Sequence, residues 1–282
     1  MFLLIGYIVV IGAVIGGFMM ENGNPFLIWQ PAEFVIIVGA GLGAFFASQT
    51  KYSWGLTIRG IKRIVSDPGM SKEKYLDMLA LLYAIFNKMN RDGPVSLEQD
   101  IEKTESSALF NKYPSIAGNP RVVNFIADTL RVYVITGDQS EIESLMKLDM
   151  HITHEEDLIP AHGIAHMAES LPGMGIVAAV LGVVLTMSML NEAPEVLGHH
   201  IGAALIGTFI GILCCYGIFG PVGDRLERCA IEEHIYRHAI MEAIAAALRG
   251  ASPIIAVEYG RRSIPQTYRP GFAEMEEYVR KA

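Results

Sequence analysis

The sequence predicts an all-α membrane protein with four transmembrane helices in two hairpins, whose helices extend into a cytoplasmic helical domain. All 22 Lys and Arg residues lie between Lys51 and Lys147 or between Arg225 and Lys281. Each of the two stretches without them, 1–50 and 152–224, holds two apolar runs. No strand-like alternation of polar and apolar residues competes with helical periodicity elsewhere.

The four apolar runs are close to the length of a membrane-spanning helix. They cover approximately Phe2 to Met20, Phe34 to Ser48, Met174 to Leu190 and Ile201 to Phe219. A crossing needs about 20 residues, so the second run is short unless Ala32 and Glu33 lie at the interface. The first run lacks a basic n-region and a small-residue cleavage site before Glu21, so we expect a retained helix and not a signal peptide.

The distribution of charge predicts the orientation. Under the positive-inside rule, the connectors 21–32 and 191–200 face outward, and both termini lie in the cytoplasm. The expected segments are a first hairpin over 1–50, a cytoplasmic helical domain over 51–167, a second hairpin over 168–222, and a cytoplasmic helix with a tail over 223–282.

The middle segment begins with a strong helical pattern. Apolar residues from Leu76 to Met89 follow a helical period after Ser71, and a turn is expected at Arg91 to Pro94. The pair Ser96–Gln99 then predicts a capping box that opens a short acidic helix.

Further boundaries follow from local signals. The pair Asn119–Pro120 predicts a helix start, and Gly137 predicts its end. The pair Ser140–Glu143 is a second capping box, whose helix is expected to run on into the third span. A matching helix is expected from Asp224 to Leu248, and the tail carries a short acidic helix at Phe272 to Val279.

Every predicted membrane helix carries small residues four apart. In lipid, such pairs let helix backbones approach closely, so we expect these helices to pack against protein. The pairs are Gly12 and Gly16, Gly39 and Gly43, Ala178 and Gly182, and Gly207 and Gly211.

Titratable residues are missing from the middle of the predicted spans. Ion paths usually place a charged side chain there. Glu33 is expected at the outer edge of the second helix, and Glu169 at the inner edge of the third. If the chain conducts ions, the titrating carboxylate is therefore expected to belong to a partner.

Two prolines stand at matching places, Pro172 at the inner entry of the third helix and Pro221 at the inner exit of the fourth. Each removes a backbone donor and bends a helix that would otherwise continue. The residues alone leave a simple kink and a paired hinge open.

Several other functions find no support. The net charge of −8 argues against a nucleic-acid partner, and three cysteines without a pairing pattern imply no disulfide framework. His151 and His154 lie near Glu155, and His162 and His166 are four apart, but the order is not the metalloprotease pattern H-E-x-x-H, so no metal site is expected. No catalytic motif stands out, and we do not expect an enzyme.

A charged face surrounds the expected turn in the middle segment. It comprises Arg91, Asp92, Glu98, Asp100 and Glu102. Such a face is either a solvated helix surface or an electrostatic docking patch that orients a partner.

Six segments, in order along nearly the whole chain, resemble one family. They are QPAEFVII (30–37), LALLY (79–83), SLEQDIE (96–102), SLPGMGIVAAV (170–180), GTFIGIL (207–213) and IAVEYGR (255–261). They resemble motility protein A, the larger stator subunit of the bacterial flagellar motor.

The resemblance implies an assembly and a mechanism. Five such chains ring two helices of MotB, whose membrane aspartate carries the proton, in the lipid of the bacterial inner membrane. Ion transit turns the ring, which pushes the rotor protein FliG. No cofactor is implied.

The resemblance also implies roles for single residues. Pro172 and Pro221 match two family prolines, which favours the hinge, and Glu98 matches a residue that engages FliG. The accompanying family arginine falls at Asn90, and the adjacent Arg91 can replace it only if the turn there is loose.

One residue position bears on whether protons or sodium ions are conducted. Sodium-driven relatives carry a threonine where this chain has Ala179, which offers no oxygen ligand, so proton drive is expected over sodium. Thr208 matches a threonine of the family's ion pathway.

Two alternatives remain. Channels of the ExbB and TolQ type also use the proton gradient, but they have three spans and begin outside. A membrane scaffold without ion traffic is the other.

Overall fold

The computed structural model describes residues 2–66 and 69–281, and most of these residues are helical with no strand among them. The all-α class predicted from the sequence is confirmed. The α-helices are α1 (Phe2–Met20), α2 (Pro31–Ser48), α3 (Lys51–Ser66), α4 (Lys72–Asp92), α5 (Glu98–Glu102), α6 (Ala108–Asn111), α7 (Pro114–Ala117), α8 (Pro120–Thr136), α9 (Gln139–Met187), α10 (Pro194–Leu213), α11 (Gly220–Leu248), α12 (Pro253–Ser263) and α13 (Phe272–Lys281).

Four of these helices contain a stretch long and apolar enough to cross a membrane. They are α1 and α2, the continuous α9, and the α10 segment that leads into α11. The number of spans agrees with the prediction. Helix α2 begins at Pro31 and not at Phe34, which gives it 18 residues and a length of about 27 Å at 1.5 Å per residue.

The described residues form two compact units. The membrane unit comprises residues 2–66 and 157–229, and the helical unit comprises residues 69–156 and 230–281. Both α9 and α11 supply residues to each unit. The predicted segment boundaries stay a prediction, and the chain termini Met1 and Ala282 lie outside the described residues.

The core of the helical unit forms around α4. Tyr75, Leu79 and Phe86 of α4 are fully buried, and α12 and α13 of the tail pack against this helix. The tail contributes Met275 and Val279 from one face of α13 to the same core. Burial of these apolar side chains, each worth about 1.5–3 kcal/mol, attaches the tail to the unit.

Asp77 joins three helices of this unit. Its carboxylate accepts a hydrogen bond from Ser115 Oγ on α7 at 2.6 Å and another from Tyr278 Oη on α13 at 2.7 Å. The hydrogen bond to Asp77 raises the pKa of Tyr278 to about 12. Tyr278 is therefore the donor throughout the physiological pH range.

The helix ends agree with the sequence in part. Ser71 caps α4 by accepting a hydrogen bond from the Lys74 amide, and Gly137 ends α8 in the left-handed conformation at φ 66°. α9 runs unbroken into the third span and α11 ends at Leu248, both as predicted.

The two predicted capping boxes are wrong. Ser96 lies inside a 3₁₀ turn, Pro94–Leu97, where its hydroxyl donates to the Gly93 carbonyl and caps nothing. At the start of α9, Asp138 accepts hydrogen bonds from the amides of Ser140 and Glu141, so Asp138 is the cap and Ser140 is already helical.

Small residues bring α9 and α10 together. A Cβ placed on Gly211 would lie 2.7 Å from the Leu171 carbonyl oxygen, and one on Gly175 would lie 2.9 Å from the Gly207 carbonyl oxygen. Close packing at the predicted small residues is thus present in the second hairpin. A Cβ placed on any glycine of the α1 and α2 pairs (Gly12, Gly16, Gly39, Gly43) would meet no atom of a neighbouring described element within 4 Å, so close packing at these pairs stays a prediction.

We predict that Gly260→Ala destabilises the helical unit. A Cβ at Gly260 would lie 2.9 Å from the Ala239 carbonyl oxygen and 3.0 Å from the Ala243 Cβ, so α12 must move off α11. Overpacking of this kind costs about 1–3 kcal/mol, against a gain of roughly 1 kcal/mol in helix propensity. Thermal unfolding followed by circular dichroism would measure the difference. The control is Gly271→Ala, whose nearest contact would be 3.9 Å. Equal melting temperatures for the two variants would contradict the prediction.

Candidate functional site

Helix α2 presents one buried stripe to the second hairpin. Its buried residues are Glu33, Ile37, Gly41 and Phe45, each four positions after the last, so they share one face of the helix. A Cβ at Gly41 would lie 2.5 Å from Leu171 Cδ2 on α9, which shows how closely the two helices approach. α2, α9 and α10 therefore meet in one three-helix contact.

Glu33 lies inside this contact. Its side chain is 8% exposed, and Oε2 has no hydrogen-bond partner among the described residues. A Cβ at Gly207 would lie 2.6 Å from this oxygen and 3.2 Å from the Ala178 Cβ. Glu33 is in the first turn of α2, as expected, but its burial against α10 was not predicted.

The two predicted ion-pathway residues adjoin the residues that surround Glu33. Ala179 follows Ala178 on α9, and Thr208 follows Gly207 on α10. Both are half-buried, and the Thr208 Cα would lie 3.2 Å from a Cβ on Gly175. The structure thus places Thr208 at the α9–α10 contact and Ala179 next to a residue of that contact, while their role in ion transit stays a prediction.

Pro172 is embedded in α9, which continues through it. The preceding residue, Leu171, is fully buried, and its carbonyl oxygen faces Gly211. α9 also contains Pro160, which the sequence analysis did not single out and whose ring packs against Gly60 of α3. Each proline removes one backbone donor from α9, so the preceding turns lose hydrogen bonds at two places.

Pro221 follows a segment of π-helix, Cys214–Phe219, that separates α10 from α11. In it the Gly220 amide donates to the carbonyl of Cys215, five residues back. Tyr7 of α1 donates its hydroxyl proton to the Ile218 carbonyl at 2.9 Å. π turns of this kind are frequent at functional sites. The structure therefore adds a wide turn and an α1 contact to the position of the second predicted hinge.

The charged face of the helical unit divides into exposed and anchored residues. Glu98, the first residue of α5, is exposed. Arg91 is also exposed and forms a two-pronged pair with Asp92, with distances of 2.9 and 2.8 Å. Helix α4 continues to Asp92, so Asn90 and Arg91 point about 100° apart and the turn is not loose. The structure therefore does not support Arg91 as a replacement for the family arginine that falls at Asn90. Its role in the rotor contact stays a prediction.

Asp100 is anchored within the fold. Its carboxylate accepts from Lys88 Nζ and from Ser107 Oγ, each at 2.6 Å, and Ser107 in turn caps α6. Burial raises the pKa of Asp100, but these hydrogen bonds lower it by more, so the pKa lies below its usual range. Asp100 joins α4, α5 and α6 and leaves Glu98 as an exposed acid on this face.

Comparison with known proteins identifies the family. Residues 4–93 match the family model "Motility protein A N-terminal", and residues 122–239 match the model "MotA/TolQ/ExbB proton channel family". The chain is 39% identical over 282 residues to motility protein A of Salmonella typhimurium, covering 99% of this chain and 95% of that protein. The chain belongs to the motility protein A family.

Other similarities agree with this assignment. The motility protein A of Escherichia coli is 38% identical over 282 residues, with 99% of this chain and 95% of that protein covered. A solved structure of MotAB from C. jejuni shares the fold with a TM-score of 0.78 and 21% identity, covering 94% of this chain and 95% of that one. Family membership and four apolar helices make this motility protein A relative a membrane protein.

We predict that Asp100→Asn destabilises the protein in a pH-dependent way. Hydrogen bonds to charged groups contribute roughly 1.5–3 kcal/mol, and an amide cannot replace the carboxylate beside Lys88. A lowered pKa stabilises the fold above the ordinary carboxyl pKa, about 3.9, and this stabilisation is lost as the pH falls through the folded-state value. The difference from wild type should therefore be full at pH 7 and shrink below about pH 4.

Thermal unfolding of the detergent-solubilised protein at several pH values measures this difference. The matched control is Asp92→Asn, which removes an exposed ion pair, and such surface pairs contribute little to stability. If Asp100→Asn and Asp92→Asn have the same melting temperature at pH 7, Asp100 does not anchor the three helices.

Proposed function

We propose that this motility protein A relative is the A subunit of a proton-driven flagellar stator, which assembles with a MotB-like subunit and generates torque on the rotor protein FliG. The observation that carries the proposal is identity of 39% to motility protein A along 99% of the chain. The match of residues 4–93 to the motility protein A N-terminal model favours a stator over an energising channel of the ExbB or TolQ type.

The proposed topology follows the charges. Four spans lie in the bacterial inner membrane, the connectors 21–32 and 191–200 face outward, and both termini are cytoplasmic. The support is the absence of Lys and Arg from 1–50 and 152–224, because basic residues are retained on the cytoplasmic side.

The proposed partner is a MotB-like subunit that contributes a membrane aspartate, ringed by a homo-oligomer of this chain, with five copies expected. Two features support protein contacts at the first hairpin. A Cβ placed on Gly12, Gly16, Gly39 or Gly43 would meet no atom of a neighbouring described element within 4 Å, and small residues at this spacing serve close helix contacts in lipid. Apolar residues such as Ile8 and Val35 are exposed on the same two helices.

The proposed coupling elements are Pro172 and Pro221, which act as hinges. Both interrupt the backbone hydrogen bonding of helices that supply residues to both compact units. The π-helix beside Pro221 supports this role, since its wide turn is a second departure from α-helical geometry at the same place.

We predict proton drive. The test is the swimming speed of a strain without its own stator A subunit, complemented with this gene and its native B partner, in sodium-free medium. Swimming should persist without sodium and stop when a protonophore is added, because Ala179 supplies no oxygen ligand for sodium. Speed that follows the sodium concentration at fixed proton-motive force would contradict proton drive. Both subunits reaching the membrane without any motility would favour the energising channel or the scaffold.

We predict that Glu98→Lys lowers swimming speed at least twofold without lowering the amount of protein in the membrane. The exposed carboxylate is proposed to orient the rotor contact, where complementary charges set encounter and register more than affinity. The matched control is Glu105→Lys, a reversal at another exposed glutamate nearby in the chain. Equal swimming speeds in the two variants would contradict a role for Glu98 in the rotor contact.

A further inference from the structure

Glu33 is a buried residue, and one oxygen of its carboxyl group has no hydrogen-bond donor in the described part of the chain. Oε2 is shielded from solvent and has no partner among the described residues, and the residue is 8% exposed. Buried polar groups are nearly always hydrogen-bonded, and each exception calls for an explanation. In membrane proteins, a titratable side chain turned into the protein usually marks an ion or proton path.

The space that holds this carboxyl group is made by missing side chains. Gly207 leaves room that a single methyl group would fill, since its Cβ would come within 2.6 Å of Oε2. Ala178 bounds the same space from α9, at 3.2 Å from that Cβ position. Gly207 is six residues, or about 9 Å, into the predicted fourth span, so the carboxyl group lies below the outer interface.

The environment distinguishes the two protonation states. Oε2 has no hydrogen-bond partner among the described residues, and Gly207 and Ala178, which bound the space, carry neither a charge nor a titratable group. An ionised carboxylate in such a place costs several kcal/mol, whereas the neutral acid can pack there. The packed arrangement of α2 against α9 and α10 is therefore compatible with the protonated side chain, and ionisation requires water or a donor from outside the chain.

We propose that Glu33 is a second proton-binding carboxyl group of the ion path, in the outer half of the membrane. The inference rests on the proposed stator function and adds a site to it. The Glu33 carboxylate takes a proton from water on the outer side, and an O–H bond forms on the side chain. That bond then breaks as the proton passes to the ionised carboxylate of the B subunit, directly or through water. Glu33 returns to the carboxylate, and one proton has moved inward with no other reactant.

The position of Glu33 supports such a relay. The residues that enclose it, Ala178 and Gly207, immediately precede Ala179 and Thr208, the two positions predicted for ion transit. Protonation would also be coupled to helix packing, since the neutral acid fits beside Gly207 and the ionised form does not. Proton uptake at Glu33 can thus change the contact of α2 with the second hairpin.

The test uses the complete A–B complex in the complemented strain. Glu33→Gln keeps the size and shape of the side chain but cannot carry a proton, and Glu33→Asp keeps the carboxyl group on a shorter stem. The control is Glu195→Gln, which removes an exposed carboxyl group from the first turn of α10. The measurements are the speed of single motors between pH 6 and pH 8, membrane levels of A, and co-purification of B.

We expect Glu33→Gln to assemble with the B subunit at the wild-type level and to turn at least tenfold more slowly. Glu33→Asp should turn with an altered dependence of speed on pH, and Glu195→Gln should match wild type. A Glu33→Gln motor at wild-type speed overturns the inference. If Glu33→Gln fails to assemble, Glu33→Asp decides: a speed–pH profile like that of wild type overturns the relay, and a shifted profile supports it.

The wild-type protein separates this inference from the proposed function. Wild-type motors that need sodium, or that never turn, count against the stator proposal itself. Proton-driven wild-type motors together with an unaffected Glu33→Gln variant count against the Glu33 relay alone.

Discussion

The backbone contact between α9 and α10 is the constraint on which the membrane unit depends. Apolar burial does not drive helices together in lipid, so their association relies on close packing and on polar contacts. Here Gly175, Gly207 and Gly211 carry no side chain at the places where the two backbones come closest. The same absence of side chains leaves the space for Glu33 and places Leu171, next to Pro172, against α10. The close packing of α9 against α10 and the burial of Glu33 thus both result from glycines at this contact.

Much of the architecture follows from local signals in the sequence. The helical period from Leu76 to Met89, the glycine at 137 and the unbroken pattern from α9 into the third span concern neighbouring residues, and the structure has all three. The capping box at Ser96 failed because α5 follows directly on a 3₁₀ turn and has Leu97 at its N-cap, with no side-chain cap. The one at Ser140 failed because two small polar residues competed for the helix start. Asp138, two residues before Ser140, is the one whose carboxylate reaches the free amides.

The features that the sequence analysis missed depend on more than one helix. Glu33, Ile37, Gly41 and Phe45 repeat every four residues, which would have assigned the glutamate to the packed face of α2. That it meets a glycine and not a basic residue depends on the register of α10, which no local pattern contains. The tail is similar: the face of α13 that carries Met275 and Val279 could be recognised, but its docking on α4 required the fold.

The π-helix before Pro221 has a geometric consequence for the fourth membrane helix. Gly211 faces Leu171 and Gly175, and Gly223, twelve residues later, faces Ala161 and Ala165 of the same helix. At about 100° per residue, twelve residues of unbroken α-helix would leave these two glycines about 120° out of phase. One extra residue absorbed by the π turn removes about 100° of that difference. The bulge therefore acts as a phase correction: if the same twelve residues formed regular α-helix, Gly223 would turn away from α9.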